Sequence, residues 1–515
     1  MRTSGSRVLL TSVLALIFAA PAAVFPQARQ PLALNRVLYA TRKAAVKPQG
    51  ELKEKIDAVD KEIMEATRLG RTGEIRRLLA KGLALLSGRE WDQNLEFSTS
   101  LVLRAEEICV DSTEPYTIRI EQIYAPRMEL TASLNAQVSL HRVGGALALQ
   151  GVPVKIKDLG FVEAVGRDFM DEPARIETDL SGIPDGPYML RVELLQEKNP
   201  IGSASLRVVL QRGLRQRITA ITRELGSMTG FDALRPEVLY PLDYIRNVNR
   251  GKVVLGNLDI VRELAAAETV LASLKSGKDP FSGRTGDMKR HYLLESAGEI
   301  MPYRVYVPQS YRGDKEYPLI IALHGLGANE DSFFDGYGQW LPKLAEQHGY
   351  LVAAPLGYRT DGGYGVALLR AGGDAAAIRK AEYSEADVMR VLDLMKKNYR
   401  VDARRIYLMG HSMGAIGTWY LGAKYPEIWA ALAPFSGSGN PASIEKMKNI
   451  PQIVVHGDAD LTVPVGGSRN MVEAMKKSGV VHQYIEVAGG DHLNVVGPNL
   501  AAALDFFNKH RSDNR

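Results

Sequence analysis

Hydrophobic positions change their spacing three times along the chain, and each change predicts a different architecture. Over residues 51–69 the apolar Ile56, Val59 and Ile63 fall three or four apart, on one face of a helix. Gly70-Arg71-Thr72-Gly73 breaks that pattern, and Ile75, Leu78, Leu79 and Leu83 then mark a second helix. Together they predict a helical hairpin. Residues 23–48, rich in Ala, Pro and Gln, read as a linker ahead of it, so 23–97 is linker plus hairpin. Near Ser98 the period shortens to two. Short β-rich runs at 101–103, 116–123, 152–156, 175–180, 188–194 and 206–210 are separated by turn signals such as Pro184-Asp185-Gly186-Pro187. This spacing predicts a small immunoglobulin-like β-sandwich over 98–212. Helical spacing returns at Leu214, Ile218, Ile221 and Leu225, and again at Ile260, Leu264 and Leu271, which makes 213–285 a helical connector.

From His291 strands and helices alternate to the end. After an early strand at 303–307, the runs 319–323, 351–354, 406–409, 430–433 and 453–455 are apolar. Such runs suit parallel strands covered by helices on both faces. The expected fold class of 286–511 is therefore α/β, a mostly parallel, doubly wound sheet. One intervening helix is expected over 384–397, where Ser384 and Asp387 resemble an N-terminal capping arrangement. Residues 357–382, with Arg359, Arg370 and several glycines, are long for a strand-to-helix connection. They fit either a rim of the substrate site, beyond the strand C-termini, or a disordered excursion.

Composition changes this picture at the edges. A net charge of +5, spread along 515 residues, gives no support to nucleic-acid binding. Cys109 is the single cysteine, so no internal disulfide can form, and it reads as a small core residue. Residues 1–22 carry Arg2 and Arg7, an apolar stretch at 8–19 and small residues at Ala20-Pro21-Ala22. That is the pattern of a cleaved secretory leader, which predicts a secreted or periplasmic protein. No later segment is long and apolar enough to cross a bilayer, so no stable membrane insertion is expected after cleavage.

The chemistry concentrates in Gly410-His411-Ser412-Met413-Gly414. This G-x-S-x-G follows an apolar strand and precedes a helical stretch at 415–425, the context in which a serine is lifted out as a nucleophile. The glycines matter because the turn leaves no room for side chains beside the serine. A serine hydroxyl needs a histidine to take its proton and a carboxylate to hold that histidine's tautomer. In this fold the chain order is serine, acid, histidine. Asp458 and Asp460 both stand just beyond the strand at 453–455, one as candidate acid and one as a turn stabiliser. His492 follows in Gly489-Gly490-Asp491-His492, with Asp491 read as a loop-stabilising residue. His411 and His456 read as structural. Met413 N–H and Leu326 N–H, the latter in His324-Gly325-Leu326-Gly327, are the expected oxyanion donors. Metal-ligand spacings, a phosphate loop and a dinucleotide fingerprint are all lacking, so neither metal nor cofactor is expected.

Three segments carry a resemblance to a known family. They are Tyr317-Pro318-Leu319-Ile320-Ile321-Ala322-Leu323-His324-Gly325, the stretch from Arg400-Val401-Asp402 through Ser412 to Gly417-Thr418-Trp419, and His456-Gly457-Asp458 through Val463-Pro464. They resemble the secreted esterase branch of the α/β-hydrolase superfamily, related to polyhydroxybutyrate depolymerase-like and feruloyl esterases. That branch overlaps predicted peptidases of the prolyl-oligopeptidase type. The resemblance covers about 286–511, and some secreted esterases share the layout in carrying an immunoglobulin-like module. It implies a Ser412-His492-Asp460 triad, because the aspartate of D-x-x-V-P is the family's acid. It also implies a small-molecule or polymer-linked ester as substrate, and leaves protein partners unspecified. Ala415 departs from the family's frequent glycine, though a methyl fits a helix start. Two other readings stand beside ester hydrolysis. One is a peptidase with the same triad. The other is a non-catalytic binding protein, against which the ordered triad argues.

Overall fold

The computed structural model describes residues 32–130, 134–142, 153–165, 168–256, 258–367 and 375–512. The leader expected at 1–22 and Arg370 lie outside the described residues. The chain divides into two compact units. One comprises Met1–Gly230 with Pro241–Ala272, the other Phe231–Tyr240 with Ser273–Arg515.

In the first unit, helices Leu32–Val46, Gly50–Arg68 and Thr72–Leu86 share a core of Tyr39, Ile56, Val59, Ile63, Leu78 and Leu79. The linker expected over 23–48 is thus corrected where Leu32–Val46 is helical. Tyr39 explains it. Its ring packs so closely on Gly82 that a Cβ there would lie 2.4 Å from it, and its hydroxyl donates to Asp60 at 2.8 Å. Strands Leu101–Ala105, Tyr116–Gln122 and Ala174–Thr178 form a three-stranded antiparallel sheet. A second sheet has the order Cys109–Asp111, Asn199–Gln211, Gly186–Gln196, Leu134–Arg142, Val154–Val165. Its first pair is parallel and the rest antiparallel. Cys109–Asp111 and Leu134–Arg142 were not expected from sequence. The first is only three residues long, and the second offers small or polar residues between its buried Leu134, Val138 and Leu140. Cys109 is fully buried, and burial pushes its thiol up to about 12, which leaves it inert.

The second unit is built on one eight-stranded sheet. Its strands are β1 (Gly286–Leu294), β2 (Glu299–Val307), β3 (Tyr317–Leu323), β4 (Leu351–Pro355), β5 (Val401–His411), β6 (Ala431–Phe435), β7 (Gln452–Gly457) and β8 (His482–Val487). They lie in the order β8-β7-β6-β5-β3-β4-β2-β1. β2 runs antiparallel to β1 and β4, and the other pairs are parallel. Its longer helices include α1 (Trp340–His348), α2 (Ala375–Asn398), α3 (Met413–Lys424), α4 (Gly466–Lys477) and α5 (Val496–Asn508).

Alternation within the strands shows why their apolar runs are unbroken. Leu319, Ile321 and Leu323 of β3 and Ile406 and Leu408 of β5 join Val391, Trp419 and Met471 of α2, α3 and α4 in one core. Ile320, Ala322, Tyr407 and Met409 face the other way, toward Leu341 of α1 and Leu500 and Phe507 of α5. Both faces are covered, so every position must be apolar. α2 starts at Ala375, nine residues before the helix start expected at Ser384. Ser384 and Asp387 are buried inside it and cap nothing, which corrects their reading as an N-terminal cap. Among the described residues no helix is long and apolar enough to cross a membrane.

Candidate active site

β5 ends at His411, and Ser412 turns the chain sharply into α3 with φ 57° and ψ −115°. Such a backbone costs a non-glycine residue about 1–3 kcal/mol and persists only when its surroundings enforce it. Here they do. Ser412 N–H donates to Phe435 O on β6 at 2.9 Å, and Ser412 O accepts from Ala415 N and Ile416 N at 3.0 and 3.1 Å. The flanking glycines leave the space. A Cβ on Gly414 would sit 2.1 Å from Leu323 O, and one on Gly410 would sit 2.2 Å from Gly414 O. Gly414→Ala is therefore expected to destabilise the unit by roughly 1–3 kcal/mol or more through forced backbone movement. Thermal melting checks this, and an unchanged melting temperature would contradict the close packing. Ala415 fits because Gly437 faces it, where a Cβ would lie 2.4 Å from the Ala415 methyl.

The structure brings Ser412, His492 and Asp460 into one line. His492 Nε2 lies 2.9 Å from Ser412 Oγ, and His492 Nδ1 lies 2.7 Å from Asp460 Oδ2. All three are buried. Asp460 is satisfied on every side. Its Oδ1 accepts from Thr462 N and Val463 N at 2.8 and 2.9 Å, and its Oδ2 also faces His456 Nε2 at 3.2 Å. Burial pushes the Asp460 carboxyl up, but the hydrogen bonds from His456, His492 and Val463 outweigh it and hold the group well below its ordinary range. It stays ionised at any working pH. Asp458 points elsewhere and accepts from Gly489 N at 2.7 Å, which ties down the loop before His492. Asp491 accepts from Leu493 N and Asn494 N at 2.8 and 2.7 Å, inside that same loop.

His411 and His456 support the line from behind. His456 Nδ1 meets Ser468 Oγ at 2.7 Å, so the ring spans from α4 to Asp460. His411 Nε2 lies 2.8 Å from His492 O, and its Nδ1 accepts from Tyr337 O–H at 2.9 Å. Burial, reinforced by the neighbouring His492, pushes His411 down to about 3, so it is a neutral strut. Tyr337 sits 74 residues before His411, and no local pattern around it marks this role.

The loop that carries Leu326 runs close to the nucleophile. A Cβ on Gly325 would lie 3.3 Å from Ser412 Cβ, so this loop passes directly beside the serine. Gly327 N donates to Thr360 O at 2.7 Å and Ala328 N to Gly325 O at 3.1 Å. Among the described residues, the N–H groups of Leu326 and Met413 make no hydrogen bond. One helical turn beyond Ser412 a cavity of about 520 Å³ opens along α3. Ile416, Trp419, Tyr420 and Ala423 form its helical wall, and Ser438 and Asn440 follow from beyond β6. Among the described residues no His, Cys, Asp and Glu cluster is arranged to hold a metal ion.

Comparison with known proteins places part of the second unit among esterases. Residues 295–471 match the family model described as putative esterase, a span that contains Ser412 and Asp460. Over 156 residues the chain is 28% identical to the bifunctional acetylxylan esterase/xylanase XynS20E of Neocallimastix patriciarum, covering 30% of this chain and 21% of that one. It is 33% identical over 120 residues to feruloyl esterase B of Neurospora crassa, covering 23% and 38% respectively. It is 25% identical over 293 residues to dipeptidyl-peptidase 5 of Aspergillus fumigatus, covering 49% and 39%. The chain thus spans well under half the length of each of these relatives. The matched region is an esterase-like α/β-hydrolase whose relatives include peptidases.

Proposed function

We propose that the chain is an exported serine hydrolase that cleaves carboxylic esters through an acyl-enzyme. The observation that carries this reading is the line from Ser412 Oγ through His492 to Asp460, at 2.9 and 2.7 Å, on a strained turn. Ser412 Oγ attacks the ester carbonyl carbon while His492 Nε2 takes its proton. The carbonyl electron pair moves onto oxygen, where the free N–H groups of Leu326 and Met413 stabilise it. Collapse of that intermediate expels the alcohol, which receives the proton from His492. Water then attacks the acyl-enzyme by the same route, releasing the acid and Ser412. Asp460 remains ionised throughout and holds the Nδ1–H tautomer of His492.

The substrate is a small-molecule or polymer-linked ester. The relatives named for acetylxylan and feruloyl esters favour acylated polysaccharide, and the cavity along α3 has room for the non-reacting part. Ala423→Trp should fill that cavity and lower the ratio of kcat/KM for feruloyl over acetyl esters by about 10-fold. An unchanged ratio would remove the cavity from the substrate site. The leader at 1–22 supports export, which the location of the expressed full chain would check.

A second reading, a serine peptidase, is favoured by the dipeptidyl-peptidase alignment, which covers 49% of this chain against 30% and 23% for the two esterases. A panel of short acyl esters, feruloyl and acetylated sugars, polyester oligomers and peptides separates the two. Peptide cleavage without ester cleavage would establish the peptidase.

In this reading the sheets of the first unit form an immunoglobulin-like sandwich. Two observations support it. The five-stranded sheet places the short Cys109–Asp111 parallel to the last strand, Asn199–Gln211. Tyr188, at the start of the penultimate strand, donates its hydroxyl to Pro184 O at 2.8 Å, as a tyrosine corner does.

A further inference from the structure

The segment that follows β4 is tied to the oxyanion loop at three points. His324 Nε2 lies 2.6 Å from Leu356 O, Gly327 N donates to Thr360 O at 2.7 Å, and Tyr364 O–H donates to His324 O at 3.3 Å. These contacts bracket Leu326, whose N–H makes no hydrogen bond among the described residues and whose neighbour Gly325 passes beside Ser412. The segment itself is strained, since Tyr358 and Tyr364 have φ 62° and 51°. Something must therefore hold it in this conformation.

The holding groups come from α2. Asp387 Oδ2 accepts from Tyr358 N at 2.7 Å. Asp387 Oδ1 accepts from Tyr292 O–H on β1 at 2.6 Å. One turn earlier, Ser384 Oγ accepts from Tyr364 N at 2.9 Å. Both side chains are fully buried. The glycines make this approach possible, because a Cβ on Gly362 would sit 2.0 Å from Gly357 O and 2.5 Å from Ser384 Oγ. An apolar residue at 387 would pack here without the cost of a buried carboxylate. Burial pushes Asp387 up to about 6, Glu330 adds to that, and the bonds from Tyr292, Tyr358 and Gly357 oppose it. A buried carboxylate that ties this strained segment to β1, one oxygen on Tyr358 N and the other on Tyr292 O–H, points to a role in holding it.

We propose that Asp387, assisted by Ser384, is a positioning residue for ester hydrolysis: it clamps the segment after β4, which in turn holds Leu326 N–H where the oxyanion forms. This rests on the serine-hydrolase reading above, and the chain of contacts runs Asp387, Tyr358–Tyr364, His324–Gly327, Ser412.

The test compares an oxoester with the matching thionoester in the full chain. The thionoester develops its charge on sulfur, a poorer hydrogen-bond acceptor, and so gains less from the oxyanion donors. Asp387→Leu removes both acceptor oxygens and should lower kcat on the oxoester by about 10- to 100-fold with KM nearly unchanged, as expected when a donor is misplaced. The thionoester should fall by much less, so the ratio of the two rates drops. Tyr364→Phe keeps the buried ring and removes only the bond to His324 O, and should lower the ratio by about 3- to 10-fold. It decides the matter if Asp387→Leu melts at assay temperature. Equal losses on both substrates, or no loss in either variant, would overturn the proposal. Ser412→Ala run alongside keeps the premises apart. If that variant retains turnover, the hydrolase reading itself has failed. If it is dead while Asp387→Leu and Tyr364→Phe keep the wild-type ratio, only the clamp has failed.

Discussion

Ester turnover is expected to fall by about 10⁴-fold or more when Ser412 is replaced by alanine, because the members of such a triad act as a unit. The variant should fold normally. The strained turn is held by backbone bonds from Ser412 N to Phe435 O and from Ala415 N and Ile416 N to Ser412 O, none of which needs the hydroxyl. Alanine loses the nucleophile and leaves His492 Nε2 without its 2.9 Å partner. Residual turnover would come from the Leu326 and Met413 donors acting on water attack. The measurement is steady-state hydrolysis of a short acyl ester beside a melting curve. Turnover at the wild-type rate in a folded variant would remove Ser412 from the mechanism.

Asp460→Asn should cost nearly as much, about 10³- to 10⁴-fold in kcat. Its carboxylate accepts from Thr462 N, Val463 N, His492 Nδ1 and His456 Nε2, four donors on two oxygens. An asparagine must turn one N–H₂ toward a donor, and His492 then loses the acceptor that fixes its proton on Nδ1. Asp458→Asn should cost little, since the asparagine oxygen can still accept from Gly489 N. Comparable losses at the two positions, or a larger one at Asp458, would move the acid assignment. The pH dependence has a defined sign. Asp460 titrates below its unfolded value of about 4, so the stability it contributes is present above that value. It is lost only as pH falls through the still lower folded value. Protonation of Asp460 therefore does not shape activity between pH 5 and 8.

Much of this site is legible in consecutive residues. Gly410 and Gly414 flank a serine between an apolar run and a helical one, and the structure shows the atoms that forbid any larger residue there. The apolar β3 and β5 read as doubly covered strands for the reason later visible in their two cores. Ser384 and Asp387 show the opposite case. Their i, i+3 spacing imitates a helix start, yet α2 begins earlier and both side chains reach out to the segment after β4. Tyr39 was hidden in the same way, because an Ala-rich stretch carries a core residue whose partner, Gly82, lies on another helix.

The sequence by itself determined the sheet-and-helix alternation of the second unit, the nucleophile turn and the chain order of serine, acids and histidine. These depend on backbone sterics and on periodicity, which act between near neighbours and leave their mark in adjacent residues. Residue spacing alone left Asp458 and Asp460 both open and only the family resemblance pointed to Asp460, which the tertiary structure places against His492; the tertiary structure alone decided that Tyr337 and His411 brace His492 from behind, and that Asp387 holds a segment rather than a helix end. Those are bonds between buried side chains and groups 29 to 81 residues away, and a buried polar group takes whichever partner the packed fold brings within 3 Å.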